Sequence, residues 1–127
     1  MSIVDISIYL ATIVTAYLIG SIPCGYLIGK KNNIDIRQHG SGNIGATNVR
    51  RVLGMKWGRV CFVCDFLKGL LPVLTCVILL KKAVLPESAF IAPMLAAFAT
   101  TAGHIWPIFL SFKGGKGVST IAGAIIP

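Results

Sequence analysis

Residues 6–29 read ISIYLATIVTAYLIGSIPCGYLIG and contain no Lys, Arg, Asp or Glu. A helix needs about 20 predominantly apolar residues to cross the ~30 Å hydrocarbon core of a bilayer. This run meets that requirement, so it decides the fold class and predicts a membrane-spanning helix. Gly20 and Pro23 interrupt its second half. Because both residues weaken a helix, we expect a kink or an early exit from the membrane near residues 21–23.

Two further apolar runs and part of a third follow along the chain. We predict spans at residues 60–80 and 88–112, and a partial span at 118–127. The last run would rise only about 15 Å as a helix, which is half a bilayer. The expected fold is an all-α polytopic transmembrane helix bundle with three full spans, the start of a fourth and glycine-rich cytoplasmic loops. We expect a single integral membrane domain over residues 1–127 that is shortened at its C-terminus; a re-entrant terminal segment is the alternative.

The composition agrees with a membrane protein and restricts the partners. Hydrophobic residues make up 55% of the chain and charged residues 13%, which is too few charges to cover a soluble surface. The net charge is +8. On a membrane protein this charge predicts anionic lipid head groups or phosphates as partners, with no nucleic acid.

The N-terminus and the cysteines carry no signal for secretion. Asp5 stands where a cleaved signal peptide has basic residues, and the first apolar run is too long for one. The cysteines lie in or beside apolar runs, and the C-x-x-C of Cys61 and Cys64 has no second metal-binding pair. We therefore interpret them as small apolar residues and expect no metal site and no disulfide framework.

Residues 30–59 form the one long polar segment, which we predict to be a loop. It carries seven Lys and Arg residues against one Asp. Loops of this kind stay in the cytoplasm, so the N-terminus is expected outside. The connector at 81–87 is then outside, and the turn at 113–117 is cytoplasmic. Both glycine-rich polar segments are thus predicted to share the cytoplasmic face.

The first glycine-rich segment, residues 40–51, reads GSGNIGATNVRR. Three glycines in six residues let backbone N–H groups converge into a nest, and such nests bind anions. Hydroxyl and amide side chains add donors, and Arg51 can clamp a phosphate with two hydrogen bonds. A solvated loop is the alternative, but this density of donors favours phosphate binding. The residues predicted to contact phosphate are Ser41, Gly42, Asn43, Gly45, Thr47, Asn48 and Arg51.

The second segment, residues 112–120, reads FKGGKGVST. It is not a P-loop, because that motif requires Gly where Leu110 stands and Ser or Thr where Gly117 stands. A flexible backbone with two ammonium groups remains, and it opens into a predicted helix whose N-terminus favours negative charge. The residues predicted to bind substrate here are Lys113, Gly114, Gly115, Lys116 and Gly117.

Three ionisable residues lie inside predicted spans. Asp65 and Lys68 are spaced to pair on one helix, and such groups usually face a bundle interior. We interpret them as an ion pair that orients the preceding loop. His104 lies between Gly103 and Pro107; it is a candidate general base. A hydrogen-bonding role that holds a broken helix is favoured, because Gly and Pro free backbone groups that need partners.

Together these residues resemble the bacterial acyl-phosphate-dependent glycerol-3-phosphate acyltransferases. The matching stretches are residues 20–23, Gly25-Tyr26, 35–37, 40–51, Asp65, Lys68-Gly69, Gly103-His104, Pro107, Phe109-Leu110 and 112–117. The resemblance implies a polytopic bacterial inner-membrane enzyme that transfers a fatty acyl group from acyl phosphate to the 1-hydroxyl of glycerol 3-phosphate. The products would be lysophosphatidic acid and phosphate, in the first step of phospholipid biosynthesis. It also implies no cofactor, no metal and no coenzyme A thioester. The family is longer than this chain and has a further motif in later spans.

Both implied substrates are phosphate anions, which suits the two predicted cradles. We expect Arg51 and Lys116 to neutralise phosphates, with Ser41 and Asn48 beside them at the reacting centre. Acyl phosphate is already activated, so catalysis by positioning and electrostatics suffices. Ser41 as an acyl-accepting nucleophile is less favoured, because its motif has no His or Lys base.

Two other classes remain open at the level of the sequence. A membrane transporter fragment for a phosphorylated or anionic solute would also show broken spans and glycine-rich turns. A lipid-binding or assembly protein would use the basic loop for anionic head groups alone. Neither class explains two phosphate-type cradles on one face.

Overall fold

The computed structural model describes residues 1–127 and contains only helices and turns. The α-helices are α1 (Ile3–Gly20), α2 (Cys24–Lys31), α3 (Ala46–Leu53), α4 (Met55–Lys81), α5 (Ala92–Ile105) and α6 (Val118–Ala124). Short 3-10 turns occur at Ile36–Gln38, Glu87–Ala89 and Ile108–Leu110. Three segments are long and apolar enough to cross a membrane: Ile3–Lys31, Met55–Lys81 and Glu87–Leu110. The predicted all-α transmembrane bundle is confirmed.

The first span is broken where Gly20 and Pro23 predicted it. Helix α1 ends at Gly20, and α2 begins directly after Pro23. A Cβ atom at Gly20 would overlap the Thr100 carbonyl oxygen of α5, and one at Gly103 would overlap the Tyr17 carbonyl oxygen of α1. The two backbones therefore touch directly, as is common where small residues pack transmembrane helices.

Helices α4 and α6 pack by the same device. A Cβ at Gly69 of α4 would overlap the Thr120 carbonyl oxygen, and one at Gly123 of α6 would overlap the Phe66 carbonyl oxygen. Pro72 lies inside α4 and is buried. This close approach fixes the end of the second glycine-rich segment against α4, because α6 begins right after Gly117.

The prediction that residues 30–59 form a loop is wrong for much of the segment. Residues 46–53 are helix α3, and α4 already begins at Met55. The larger apolar side chains of α3 are Val49, Val52 and Leu53, which share one face at helical spacing. Val49 is fully buried, and the other two pack beside it. A short helix needs only that one apolar face, so the overall polarity of the segment concealed it.

The interior has two separate apolar clusters. One lies among α1, α4, α5 and α6 and is built largely from alanines. The other lies beneath the polar segment and contains Ile28, Ile36, Ile44, Val49, Cys61 and Leu110. Cys61 is a fully buried member of this second cluster, and its thiol contacts the Ile44 carbonyl oxygen. The residues before α3 are thus seated on the transmembrane bundle.

Candidate functional site

The first glycine-rich segment is organised around the side chain of Asn48. Its Nδ2 donates hydrogen bonds to the backbone oxygens of His39 (3.0 Å) and Asn43 (2.9 Å). Its Oδ1 accepts a hydrogen bond from the Ser41 N–H at 3.0 Å. Asn48 is 2% exposed, so its amide supports the loop. The sequence predicted Asn48 at the reacting centre; in the structure its polar side-chain atoms are bonded to the backbone of the loop.

The glycines of this segment serve different structural purposes. Gly40 and Gly42 have positive φ values of 55° and 74°, a region that non-glycine residues rarely occupy. A Cβ at Gly40 would also overlap Asn48 Oδ1. Gly45 is different: it caps α3 with extended backbone, and its N–H donates to Asn43 Oδ1 at 2.8 Å. The nest predicted from the glycine spacing is therefore a folded loop that ends on a helix N-terminus.

Helix α3 directs positive potential toward the space beyond this loop. The N–H groups of Ala46, Thr47 and Asn48 have no intrahelical acceptor, as in the first turn of any helix. The helix dipole adds a partial positive charge at this end. Arg51 follows on the same helix, is exposed, and makes no ion pair. An anion placed here would meet a helix terminus and a guanidinium together.

The second glycine-rich segment is held by its neighbours. The N–H of Gly114 donates to the Ile105 carbonyl oxygen at 3.0 Å, and that of Gly115 donates to the His104 carbonyl oxygen at 3.2 Å. A Cβ at Gly114 would overlap the His104 carbonyl oxygen, and one at Gly115 would overlap His104 Nε2. Both glycines are therefore required for docking against the end of α5.

A buried polar network lies under both segments. Lys68 Nζ is 2.9 Å from Asp65 Oδ1, without hydrogen-bond alignment, and donates to the Ile22 carbonyl oxygen at 2.8 Å. His104 Nδ1 is 3.2 Å from Thr120 Oγ1 and 3.6 Å from Asp65 Oδ1. The network thus joins the break after α1 to α4, α5 and α6. Its geometry agrees with an orienting role for these charged residues.

A cavity of about 510 Å³ lies above this network, between the two segments. It is lined by Ser41, Asn43, Gly45, Ala46, Thr47, Asn48, Arg51, Phe62, Asp65, His104, Lys116, Gly117, Val118 and Ser119. Residues from both motifs and from the network therefore meet in one space. The predicted site residues outside its lining are Gly42, Lys113, Gly114, Gly115 and Lys68.

Four lining residues were not predicted from the sequence. Phe62 lies one helical turn before Asp65 and shares its face, so helical spacing would have found it. Ser119 and Val118 follow Gly117 directly, and Ala46 lies inside the first motif. Ser119 adds a hydroxyl to a cavity that already contains those of Ser41 and Thr47.

The cavity is cationic, because its basic side chains have no acidic partners. Lys116 and Arg51 make no ion pair, whereas Asp65 is paired with Lys68. Arg37 differs from them: it forms an ion pair with Asp35 at 2.8 Å and stacks on Tyr26. The hydrogen bond from Arg37 holds the pKa of Asp35 below its ordinary value. Arg37 is thus occupied by the protein, and Arg51 and Lys116 are free for a ligand.

Comparison with known proteins gives consistent matches. Residues 10–127 match the family profile described as "Glycerol-3-phosphate acyltransferase". A glycerol-3-phosphate acyltransferase from Clostridium acetobutylicum is 48% identical over 118 residues, covering 92% of this chain and 60% of that protein. A glycerol-3-phosphate acyltransferase from Geotalea daltonii is 51% identical over 114 residues, covering 90% of this chain and 55% of that protein.

Two crystal structures of PlsY (YgiH), an integral membrane glycerol 3-phosphate acyltransferase, resemble this fold. Its glycerol 3-phosphate form superposes with a TM-score of 0.78 at 42% identity, covering 91% of this chain and 55% of that one. The lysophosphatidic acid form superposes with a TM-score of 0.76 at 41% identity, covering 92% of this chain and 55% of that one. The chain therefore spans between half and two thirds of the length of these relatives. Its helices form an integral membrane fold.

Proposed function

The chain belongs to the glycerol-3-phosphate acyltransferase family, and from that premise we propose that it transfers a fatty acyl group from acyl phosphate to the 1-hydroxyl of glycerol 3-phosphate. The products are lysophosphatidic acid and inorganic phosphate. The observation that carries the proposal is the cationic cavity in which Arg51 of one glycine-rich segment and Lys116 of the other meet without acidic partners. The relatives solved with glycerol 3-phosphate and lysophosphatidic acid support it.

The reaction needs positioning and charge neutralisation more than covalent catalysis. The 1-hydroxyl oxygen attacks the acyl carbonyl carbon, the new ester C–O bond forms, and the bond from that carbon to the phosphate oxygen breaks. The departing phosphate takes the bonding electron pair and accepts the hydroxyl proton, so every atom and charge is accounted for. Arg51, Lys116 and the N-terminus of α3 stabilise the charge that develops on the leaving phosphate.

Ser41 serves in this proposal as a hydrogen-bond donor to phosphate. Its Oγ accepts from the Asn43 N–H at 3.3 Å, which leaves the hydroxyl hydrogen free for a ligand. No basic side chain bonds to Ser41, and His104 Nδ1 contacts Thr120 and Asp65 instead. A nucleophilic serine needs such a base, so the geometry favours direct attack by the substrate hydroxyl.

The remaining predicted site residues act by holding the cavity in shape. Asn48 and Gly42 shape the first segment, and Gly114 and Gly115 seat the second on α5. Asn43, Gly45, Thr47 and Gly117 contribute to the cavity wall. Asp65, Lys68 and His104 orient both segments from below. Arg51 and Lys116 supply the positive charge that neutralises the leaving phosphate.

We also propose the bacterial inner membrane as the location, with the N-terminus outside and the cavity at the cytoplasmic face. The seven Lys and Arg residues of 30–59 support this orientation. Both glycine-rich segments contribute to one cavity, as required if they share one side of the membrane. Membrane lipids then surround the three spans, and the acyl chain of the substrate reaches the cavity from them.

The test is acyl transfer to labelled glycerol 3-phosphate in membranes that contain this chain and lack the activity otherwise. Palmitoyl phosphate and palmitoyl-CoA are supplied separately, and labelled lysophosphatidic acid is expected with palmitoyl phosphate alone. Lys116→Ala should lower turnover by about 10²–10³-fold, the usual cost of losing one preorganised charge-stabilising group. Lys82→Ala, at the C-terminal end of α4, is the control and should leave turnover unchanged. Phosphate flux into vesicles without any lipid product would instead indicate a transporter.

A further inference from the structure

A second and larger cavity lies beside the first, between α3 and the start of α4. Its volume is about 750 Å³. It is lined by Ala46, Thr47, Arg50, Arg51, Met55, Gly58, Arg59, Phe62 and Val63. Ala46, Thr47, Arg51 and Phe62 also line the reaction cavity. The two spaces are therefore adjacent, and Arg51 borders both.

The basic side of this groove consists of Arg50, Arg51 and Arg59. None of the three makes an ion pair or a side-chain hydrogen bond within the protein. Two of the acidic residues are paired elsewhere: Asp35 with Arg37, and Asp65 with Lys68. Three like charges around one open groove repel one another unless an anion separates them. Guanidinium groups match phosphate oxygens better than any other side chain.

The other side of the groove is apolar and points along a membrane span. Met55 and Phe62 are each 46% exposed and Val63 is 50% exposed. Phe62 stacks on Phe66 one turn further along α4, with ring centroids 6.1 Å apart. Because α4 is a membrane-spanning helix, the apolar wall continues from the arginines toward the hydrocarbon core. The charged part of the groove is thus followed, along α4, by its apolar part.

Close packing fixes the groove in place. A Cβ at Gly58 would come within 2.5 Å of Arg50 Cβ and 2.9 Å of Arg50 Cα. Helix α3 is therefore seated directly on α4, and Arg50 both makes this contact and lines the groove. A rigid seat favours a binding site over a chance gap between mobile elements.

We infer that this groove binds a single-chain lipid carrying a phosphate, with the phosphate at Arg50 and Arg59 and the chain along Phe62 and Val63. The inference rests on the proposed function for one further identification: the lipid is long-chain acyl phosphate moving from the membrane to the reaction cavity. Arg51 borders both spaces, so the phosphate is never without a guanidinium partner during the transfer. The groove is then the access route of the lipid substrate to the reaction cavity.

The test is photo-crosslinking, which requires no turnover. The chain is placed in nanodiscs of zwitterionic lipid with hexadecyl phosphate that carries a diazirine in its chain, and the labelled peptides are identified by mass spectrometry. Labelling is expected on residues 62–66. Excess unlabelled hexadecyl phosphate should abolish it, whereas hexadecanol, which lacks the phosphate, and inorganic phosphate, which lacks the chain, should not.

Paired variants test the two halves of the groove. Arg50→Gln with Arg59→Gln should lower labelling by about tenfold, since Gln keeps the Cβ and Cγ atoms that pack on Gly58. Val63→Phe should lower it to a similar extent by filling the groove. The matched controls are Lys81→Gln with Lys82→Gln, and Val14→Phe on the lipid-facing side of α1; these should not change labelling.

Three outcomes would overturn the inference. Labelling spread evenly over all spans would indicate ordinary contact with membrane lipid. Competition by hexadecanol would show that the phosphate is not recognised, and competition by inorganic phosphate alone would show a free-phosphate site. Because these readouts measure binding, they stand or fall independently of the acyl-transfer assay. Failure of that assay beside specific labelling would remove the proposed reaction and leave the lipid site.

Discussion

The two glycine-rich segments use glycine for opposite reasons. Residues 40–51 hold themselves: the buried Asn48 amide bonds to three backbone groups of its own loop. Residues 113–117 have no such internal support, and the N–H groups of Gly114 and Gly115 bond to carbonyl oxygens of α5. The backbone polar groups of the first segment are therefore satisfied largely by a nearby side chain, and those of the second by contacts with α5. Substitutions can separate these two modes of support.

The largest effect is expected from Lys68→Met, which should disturb the second segment more than the first. The change leaves the buried Asp65 carboxylate without its partner, at a cost of about 3–5 kcal/mol. Asp65 also borders His104, on which residues 114–115 dock. Thermal unfolding in detergent should show the loss, and hydrogen exchange should rise first at 113–117. Adding Asp65→Asn removes the unpaired charge and should restore most of the stability; no restoration would contradict the ion-pair explanation.

The next largest effect is the difference in stability between the variants Gly114→Ala and Gly45→Ala. The added methyl at Gly114 overlaps the His104 backbone oxygen, which cannot move without displacing α5. Overpacking of this kind costs about 1–3 kcal/mol. At Gly45 the nearest atom is Asn43 Oδ1 at 3.0 Å, the end of a side chain that can rotate away. Melting temperatures of the two variants should differ clearly; equal values would remove the distinction between the segments.

Asn48→Ala should loosen the first segment and leave the second in place. The variant leaves the Ser41 N–H and the carbonyl oxygens of His39 and Asn43 without their hydrogen-bond partner, which should lower the free energy of unfolding by about 2 kcal/mol. Hydrogen exchange should increase within residues 39–48 and stay unchanged at 113–117. Asn43→Ala is a suitable control, because it removes one half-buried acceptor that serves only the Gly45 N–H. Simultaneous loosening of both segments would show that they fold as one unit.

The smallest effect concerns the ion pair of Asp35 and Arg37 at the edge of the first segment. The folded-state pKa of Asp35 is lowered, so the pair stabilises the fold above the ordinary carboxyl pKa of about 4 and loses that contribution as pH falls through the lowered value. Asp35→Asn should therefore reduce stability slightly at neutral pH and show no difference from the parent in strong acid. A variant as stable as the parent at pH 7 would show that the pair contributes nothing measurable.

The sequence was a better guide to which residues lie close together than to the role of each residue. Arg51 and Lys116, far apart in the chain, do line one cavity. By contrast, Gly114 and Gly115 were assigned to a ligand, and the structure uses them to dock on α5. A glycine reports that something approaches the backbone closely, but a helix and a phosphate impose the same requirement. The identity of the approaching group is therefore not encoded in the motif.

Helix α3 and the arginine groove were missed for a related reason. The apolar positions of α3 are few, and they acquire meaning only because Val49 packs on the second apolar cluster. Arg50 and Arg59 are separated by nine positions, and nothing in that spacing predicts that both border one groove. Their proximity results from the contact of Arg50 with Gly58.

By itself the sequence determined that this is a helical membrane protein with a break in its first span and a strongly basic segment. These properties depend on contiguous residues, since hydrophobic length, proline and charge act locally. Only the tertiary structure decided which polar groups remain free to bind an anion. Asn48, Asp65 and Arg37 are used by the protein, whereas Arg51 and Lys116 are not. A side chain's availability depends on every neighbour within hydrogen-bonding distance, and here those neighbours come from helices that are distant in the chain.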